Sequence, residues 1–140
     1  MKTVFADAVY WIARVKPNDP WCDAAKAARD QLGQVRIVTT DEVLTEFLAS
    51  LSKGGPTLRR TAVKMVRAIL ANPNIKVVPQ SRHSFQKGLS RYESRDDKQY
   101  SLQDCISMNV MESEAIKEVL TNDHHFEQEG FTVLMKGDGS

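Results

Sequence analysis

Four acids in this chain stand where a free carboxylate is expensive. Asp7 closes the apolar run 3–6, Asp104 opens the almost uncharged helical pattern 102–111, and Asp123 comes after the strand-like run 116–121. Glu46 lies on the flank of an apolar stripe made by Val43, Leu44, Phe47, Leu48 and Leu51. A carboxylate at the end of a buried element usually caps a helix, joins an ion pair or holds a metal. Together these four oxygen donors suit a hard dication, Mg2+ or Mn2+. Such an ion activates water and neutralises charge growing on a phosphate, the chemistry of phosphodiester hydrolysis.

Each acid also has a plainer reading. Ser101-x-x-Asp104 matches a capping box. Asp7 could cap the helix that follows it, Asp123 could close an Asx turn, and Glu46 could be an ordinary solvated glutamate. What favours a shared site is their placement. Asp7 and Asp123 each follow a strand directly, and in a parallel sheet the site lies beyond the carboxyl ends of the strands. His124 and His125 are adjacent, so regular structure cannot aim both into one site, and His/Cys zinc spacing is absent. There is no phosphate-binding loop, no Gly-x-Gly-x-x-Gly and no Gly-x-Ser-x-Gly elbow. A phosphatase of unrelated α/β type would want Asp-x-Asp, and Val9 stands two residues after Asp7.

The elements that must position these acids follow from hydrophobic period and breakers. Strands are expected over 3–6, 35–39, 75–78, 116–121 and 131–135. Helices are expected over 8–15, from Asp19-Pro20 to about 32, over 41–51 and 58–71, from Ser81 to about 95, and from Ser101 onward. On the fourth of these helices Leu58, Ala62, Met65, Val66, Ile69 and Leu70 should face inward. On the fifth, Phe85, Leu89 and Tyr92 should form the inner face. Strand and helix alternate five times, which implies right-handed crossovers: an α/β chain, three-layer α/β/α, with a central, mostly parallel five-stranded sheet. Residues 1–135 read as a single domain and 136–140 as a loose tail.

At 140 residues, 41% apolar and 26% charged, the chain can bury a core without disulfides, and collagen-like and disordered classes are excluded. Cys22 and Cys105 form no spacing motif and read as reduced small hydrophobes. No run approaches the ~20 apolar residues of a membrane span, and Asp7 interrupts any leader-like start, so a cytoplasmic protein is expected. A net charge of +1 leaves any nucleic-acid footprint to local rows. Arg60, Lys64 and Arg67 form one, and Arg82, Lys87, Arg91 and Arg95 decorate another helix. Both are candidate RNA contacts, since cations must hold phosphates near an acidic centre, and both could equally be solvated faces.

These residues resemble the PIN-domain ribonucleases, and most closely the VapC-type toxins of toxin–antitoxin pairs. The resemblance covers nearly the whole chain. It rests on Tyr100-Ser101-Leu102-Gln103-Asp104-Cys105-Ile106-Ser107, on Leu120-Thr121-Asn122-Asp123-His124-His125-Phe126, on Thr40-Asp41-Glu42-Val43-Leu44-Thr45-Glu46 and on Phe5-Ala6-Asp7. It implies that Asp7, Glu46, Asp104 and Asp123 are the catalytic acids holding Mg2+ or Mn2+ for RNA cleavage. Asp7, Glu46 and Asp104 would be core ligands, and Asp123 would act in an outer position or on a second ion. Thr121 would be an orienting hydroxyl. It further implies a homodimer and a small antitoxin partner. Ala8 departs from a Ser or Thr common in the family, and His124 from an Arg or Lys. The reading is a metal-dependent endoribonuclease; its rival is a non-cleaving PIN-like module that binds RNA or protein.

Overall fold

The computed structural model describes residues 1–137; residues 138–140, most of the expected tail, lie outside it. In chain order the elements are β1 (Lys2–Ala6), α1 (Ala8–Val15), α2 (Cys22–Leu32), β2 (Val35–Thr40), α3 (Asp41–Leu51) and α4 (Pro56–Ala71). They continue as β3 (Ile75–Val78), α5 (Arg82–Ser94), α6 (Leu102–Ser113), β4 (Glu118–Leu120), α7 (His125–Gln128) and β5 (Thr132–Val133). The five strands run in the order β3-β2-β1-β4-β5, and every pairing is parallel. The expected α/β/α architecture is the observed one.

That order follows from the chain's path. It lays β2 and β3 to one side of β1, then returns to place β4 and β5 on the other. The reversal puts the switch point between β1 and β4, and ligands of open α/β sheets bind at the carboxyl end of such a crevice. There Asp7 N donates to Leu120 O (3.2 Å), extending the ladder to the first candidate acid. Strands buried on both faces read as continuous apolar runs, hence Val4, Phe5 and Ala6, none of them accessible to solvent. Phe47, Met108, Met111, Leu120 and Phe126 fill the layers around them.

The structure differs from the sequence reading at several points. Asp19 does not cap α2: its Oδ1 accepts from Trp21 N (2.8 Å) in an Asx turn, and the helix begins at Cys22. Cys22 is exposed, unlike buried Cys105. Leu70 on α4 faces solvent, because Ile69 takes the inward position beside it. β4 and β5 are shorter than the strands expected over 116–121 and 131–135, and the short α7 was not foreseen.

The largest difference is the rotation of α5. Phe85, Leu89 and Tyr92 are 40%, 45% and 52% exposed, whereas Gly88 and Arg91 are buried. A Cβ at Gly88 would sit 2.6 Å from Ile106 Cγ1, so the bare backbone lets α5 close onto α6. One turn on, Arg91 Nη2 donates to Glu112 Oε1 (2.8 Å) and Glu129 Oε1 (2.7 Å), and Nη1 to Asn109 Oδ1 (3.1 Å). Arg95 joins through Nε to Glu129 (3.0 Å). Arg91 is therefore a buried cation paired within the fold, and the partly exposed Arg95 pairs with Glu129. A glycine and a paired arginine form the inner face, where apolar residues were expected. Among the described residues, no helix is long and apolar enough to cross a membrane.

Candidate metal centre

Asp7 sits at the N-cap position of α1, yet its side chain makes no capping bond. Instead its Oδ2 accepts from Thr121 Oγ1 (3.0 Å), the residue that follows β4. Thr121 Oγ1 also accepts from Asp123 N (3.3 Å), so one buried hydroxyl fixes two of the acids. Burial pushes the Asp7 carboxyl up to about 7, with repulsion from Glu46 and Asp104 adding to it against the hydrogen bonds from Ala8 and Thr121. Among the described residues no cationic side chain pairs with it.

Glu46 projects from the middle of α3, a helix started by Thr40 Oγ1 accepting from Val43 N (3.0 Å). Gln103 Nε2 donates to its Oε2 (2.9 Å), pointing it at the mouth of α6. Burial raises this carboxyl too, and Asp104 and Asp123 add to the rise while Gln103 opposes it.

At that mouth the capping box forms: Asp104 N donates to Ser101 Oγ (3.0 Å) and Ser101 N to Asp104 Oδ2 (3.2 Å). Capping does not withdraw Asp104 from the site. Its carboxyl is raised by burial and by Asp123, against the Ser101 amide and His125. Asp123 likewise closes an Asx turn, its Oδ1 accepting from His125 N (2.9 Å), and still faces Asp104. For both residues the plainer reading is observed, and it leaves the carboxylates beside one another.

The sequence assigned no ligand role to His125. Its Nδ1 lies 3.4 Å from Asp123 Oδ1 and 3.6 Å from Asp104 Oδ2. The nitrogen is buried and makes no hydrogen bond. Candidate ligand atoms of Asp104, Asp123 and His125 lie within 4.8 Å of one another. Among the described residues, Asp7 and Glu46 do not join them at that spacing; they are linked to the group by charge, through Asp104 and Asp123. The sequence does hold a signal for His125. If only one of two adjacent histidines can face inward, the one two residues past Asp123 is carried there by the turn that Asp123 closes. His124 is exposed and packs against the His125 ring, with centroids 4.9 Å apart.

The donor set, several carboxylate oxygens and one orphaned imidazole nitrogen, fits a divalent cation. The model for the PIN domain matches residues 4–131. The chain belongs to the PIN domain family. Among solved structures, this PIN domain is similar to Mycobacterium tuberculosis VapC20, whose structure is described as that of a sarcin-ricin loop cleaving toxin. The TM-score is 0.80 at 22% identity, over 92% of this chain and 96% of that one. It also resembles FitAcB from Neisseria gonorrhoeae, with a TM-score of 0.61 at 13% identity over 94% and 96% of the two chains. At such identities these likenesses concern the fold. No curated protein matches the chain.

The basic rows divide. Arg60, Lys64 and Arg67 of α4 are exposed, and with Arg59 and Val63 they line one shallow groove. Arg82 and Lys87 of α5 are exposed, with the Arg82 guanidinium 5.4 Å from the Phe85 ring centre.

Proposed function

We propose that this PIN domain protein is a metal-dependent endoribonuclease, hydrolysing RNA phosphodiester bonds with water, and that it is the toxin of a toxin–antitoxin pair. The carrying observation is electrostatic. Asp7, Glu46 and Asp104 are all held above the ordinary carboxylate range, and among the described residues no lysine or arginine pairs with them or with Asp123. Acids forced together with only the His125 ring beside two of them are poised for a cation rather than for stability. Fold likeness to a toxin described as cleaving the sarcin-ricin loop supports the substrate class and the role.

Mg2+ or Mn2+ bound among these acids would supply a polarised water and offset charge on the scissile phosphate. This chain's residues do the rest. Thr121 orients Asp7 and Asp123 from one hydroxyl, Gln103 aims Glu46, and the α6 capping box holds Asp104 on a rigid helix end. Oriented acids keep the donor oxygens from swinging out to solvent, which saves reorganisation when substrate arrives. The exposed cations of α4, with Arg82 and Lys87, are the candidates for holding RNA phosphates against the field of the acids. A homodimer and a small antitoxin partner belong to the same reading, by likeness to the toxins.

The test is an RNA-cleavage assay on metal-stripped protein, with Mn2+ then added back, on wild type and Asp104→Asn. Asparagine keeps a carbonyl oxygen that can still accept from Ser101 N, so the capping box and the fold should survive. Cleavage should vanish without metal, return with it, and stay at least about 100-fold lower in the variant. Wild-type cleavage that persists under exhaustive chelation overturns the proposal. RNA retained in gels with no product would favour the binding module instead.

A further inference from the structure

We infer that His125 is a nitrogen ligand of the divalent ion, forming with Asp104 and Asp123 a mixed face that favours Mn2+ over Mg2+. The inference rests on the metal-centre reading above and names a donor that the four acids do not include.

Geometry carries it. Two ligands at right angles on an ion with bonds of about 2.1 Å stand roughly 3 Å apart. His125 Nδ1 stands 3.4 Å from Asp123 Oδ1 and 3.6 Å from Asp104 Oδ2, so closure needs shifts of only a few tenths of an ångström. The alternative use of this nitrogen is pairing with those carboxylates, and at 3.4 and 3.6 Å it closes no hydrogen bond of good geometry with either. A buried imidazole nitrogen without a partner carries a desolvation cost that ligation would remove. As a ligand the ring would carry its proton on Nε2 and offer the Nδ1 lone pair to the ion.

The ring is also held for the task. His125 packs between His124, at 4.9 Å, and Tyr100, at 5.3 Å between ring centres. Tyr100 in turn donates its hydroxyl to Glu129 Oε2 (3.0 Å). Burial by itself would raise the Glu129 carboxyl, but hydrogen bonds from Arg95, Tyr100 and Arg91 outweigh it and hold the group ionised. A ring backed by a fixed tyrosine changes orientation little when an ion binds, and rigid support of this kind sustains affinity.

Metal preference follows from donor type. Mg2+ demands near-ideal oxygen octahedra and keeps its waters, whereas imidazole suits first-row transition ions. Removing the nitrogen should therefore cost Mn2+ much more than Mg2+.

The experiment uses untagged, metal-stripped full-length protein as wild type, His125→Gln and His124→Gln. Mn2+ and Mg2+ are titrated calorimetrically, and the Mn2+ forms are examined by pulsed electron paramagnetic resonance for nitrogen coupling. Circular dichroism of the metal-free proteins checks folding. Wild type and His124→Gln should show the coupling and His125→Gln should lose it. Mn2+ affinity in His125→Gln should fall at least about tenfold, with Mg2+ affinity changed less than about threefold. Wild-type Mn2+ protein without nitrogen coupling overturns the inference whether or not the variants fold. So do equal losses for the two ions. Coupling in a protein that cuts no RNA would uphold the ligand and sink the nuclease; cleavage without coupling would do the reverse.

Discussion

At the scale of single residues, the site trades stability for charge. The Asp7 carboxyl lies at about 7 in the fold against 3.8 as a free group, chiefly because burial disfavours its ionised form. Between those values the folded state binds more protons than the unfolded chain. Stability is therefore complete below about pH 4 and is lost as pH rises towards 7. At about 1.4 kcal/mol per pH unit, the full effect is on the order of 4 kcal/mol. In metal-free protein, Asp7→Asn should remove most of this slope and gain a few kcal/mol at pH 8, since the amide oxygen can still accept from Thr121. Cleavage should be abolished in the same variant. Urea unfolding from pH 4 to 8 measures it, and equal slopes for the two proteins would show that Asp7 is not the strained group. Glu46 and Asp104, raised in the same direction, should leave a shallower residual slope.

At the scale of elements, the balance of apolar and polar residues fixed most of the framework, and α5 shows where that signal fails. Apolar strands over 2–6, 35–40 and 75–78 are self-evident in the sequence because both faces of a parallel sheet are covered. The acids at the ends of β1 and β4 are legible for the same reason. His125 was legible only through the turn that Asp123 closes, because α7 is four residues long and too short for any period to show. In α5 the apolar period marked Phe85, Leu89 and Tyr92, yet the buried face holds Gly88 and Arg91. A long-range partner, Glu129, decided that face, and no local pattern encodes a partner more than thirty residues away. Breaking the pair should be severe. Arg91→Met leaves Glu129 with Arg95 and Tyr100 but no buried countercharge on its other side, a loss of about 3 kcal/mol or more. Chemical denaturation reads that loss directly. A change under 1 kcal/mol would mean that Arg95 alone suffices for Glu129 and that the orientation of α5 is set by Gly88.

At the scale of the whole molecule, a net charge of +1 conceals a division of labour between cations. Buried Arg91 and half-buried Arg95 pair with Glu129, while Arg60, Lys64 and Arg67 project together from α4 with no carboxylate partner among the described residues. The exposed α4 row, like Arg82 and Lys87 of α5, is free to release counterions from RNA, so it should carry a share of the salt dependence of binding. Each phosphate contact on a single strand contributes about 0.7 to the slope of log affinity against log salt. Replacing Arg60, Lys64 and Arg67 by glutamine should therefore lower that slope by about 2 if all three touch phosphate. Binding should be measured on the Asp104→Asn background, where the RNA stays whole, by fluorescence anisotropy over a range of salt. All three side chains are solvent-facing, so melting temperature should barely move, in contrast to Arg91→Met. An unchanged slope would exclude α4 from the RNA path and leave Arg82 and Lys87 of α5 as the row that offsets the acids.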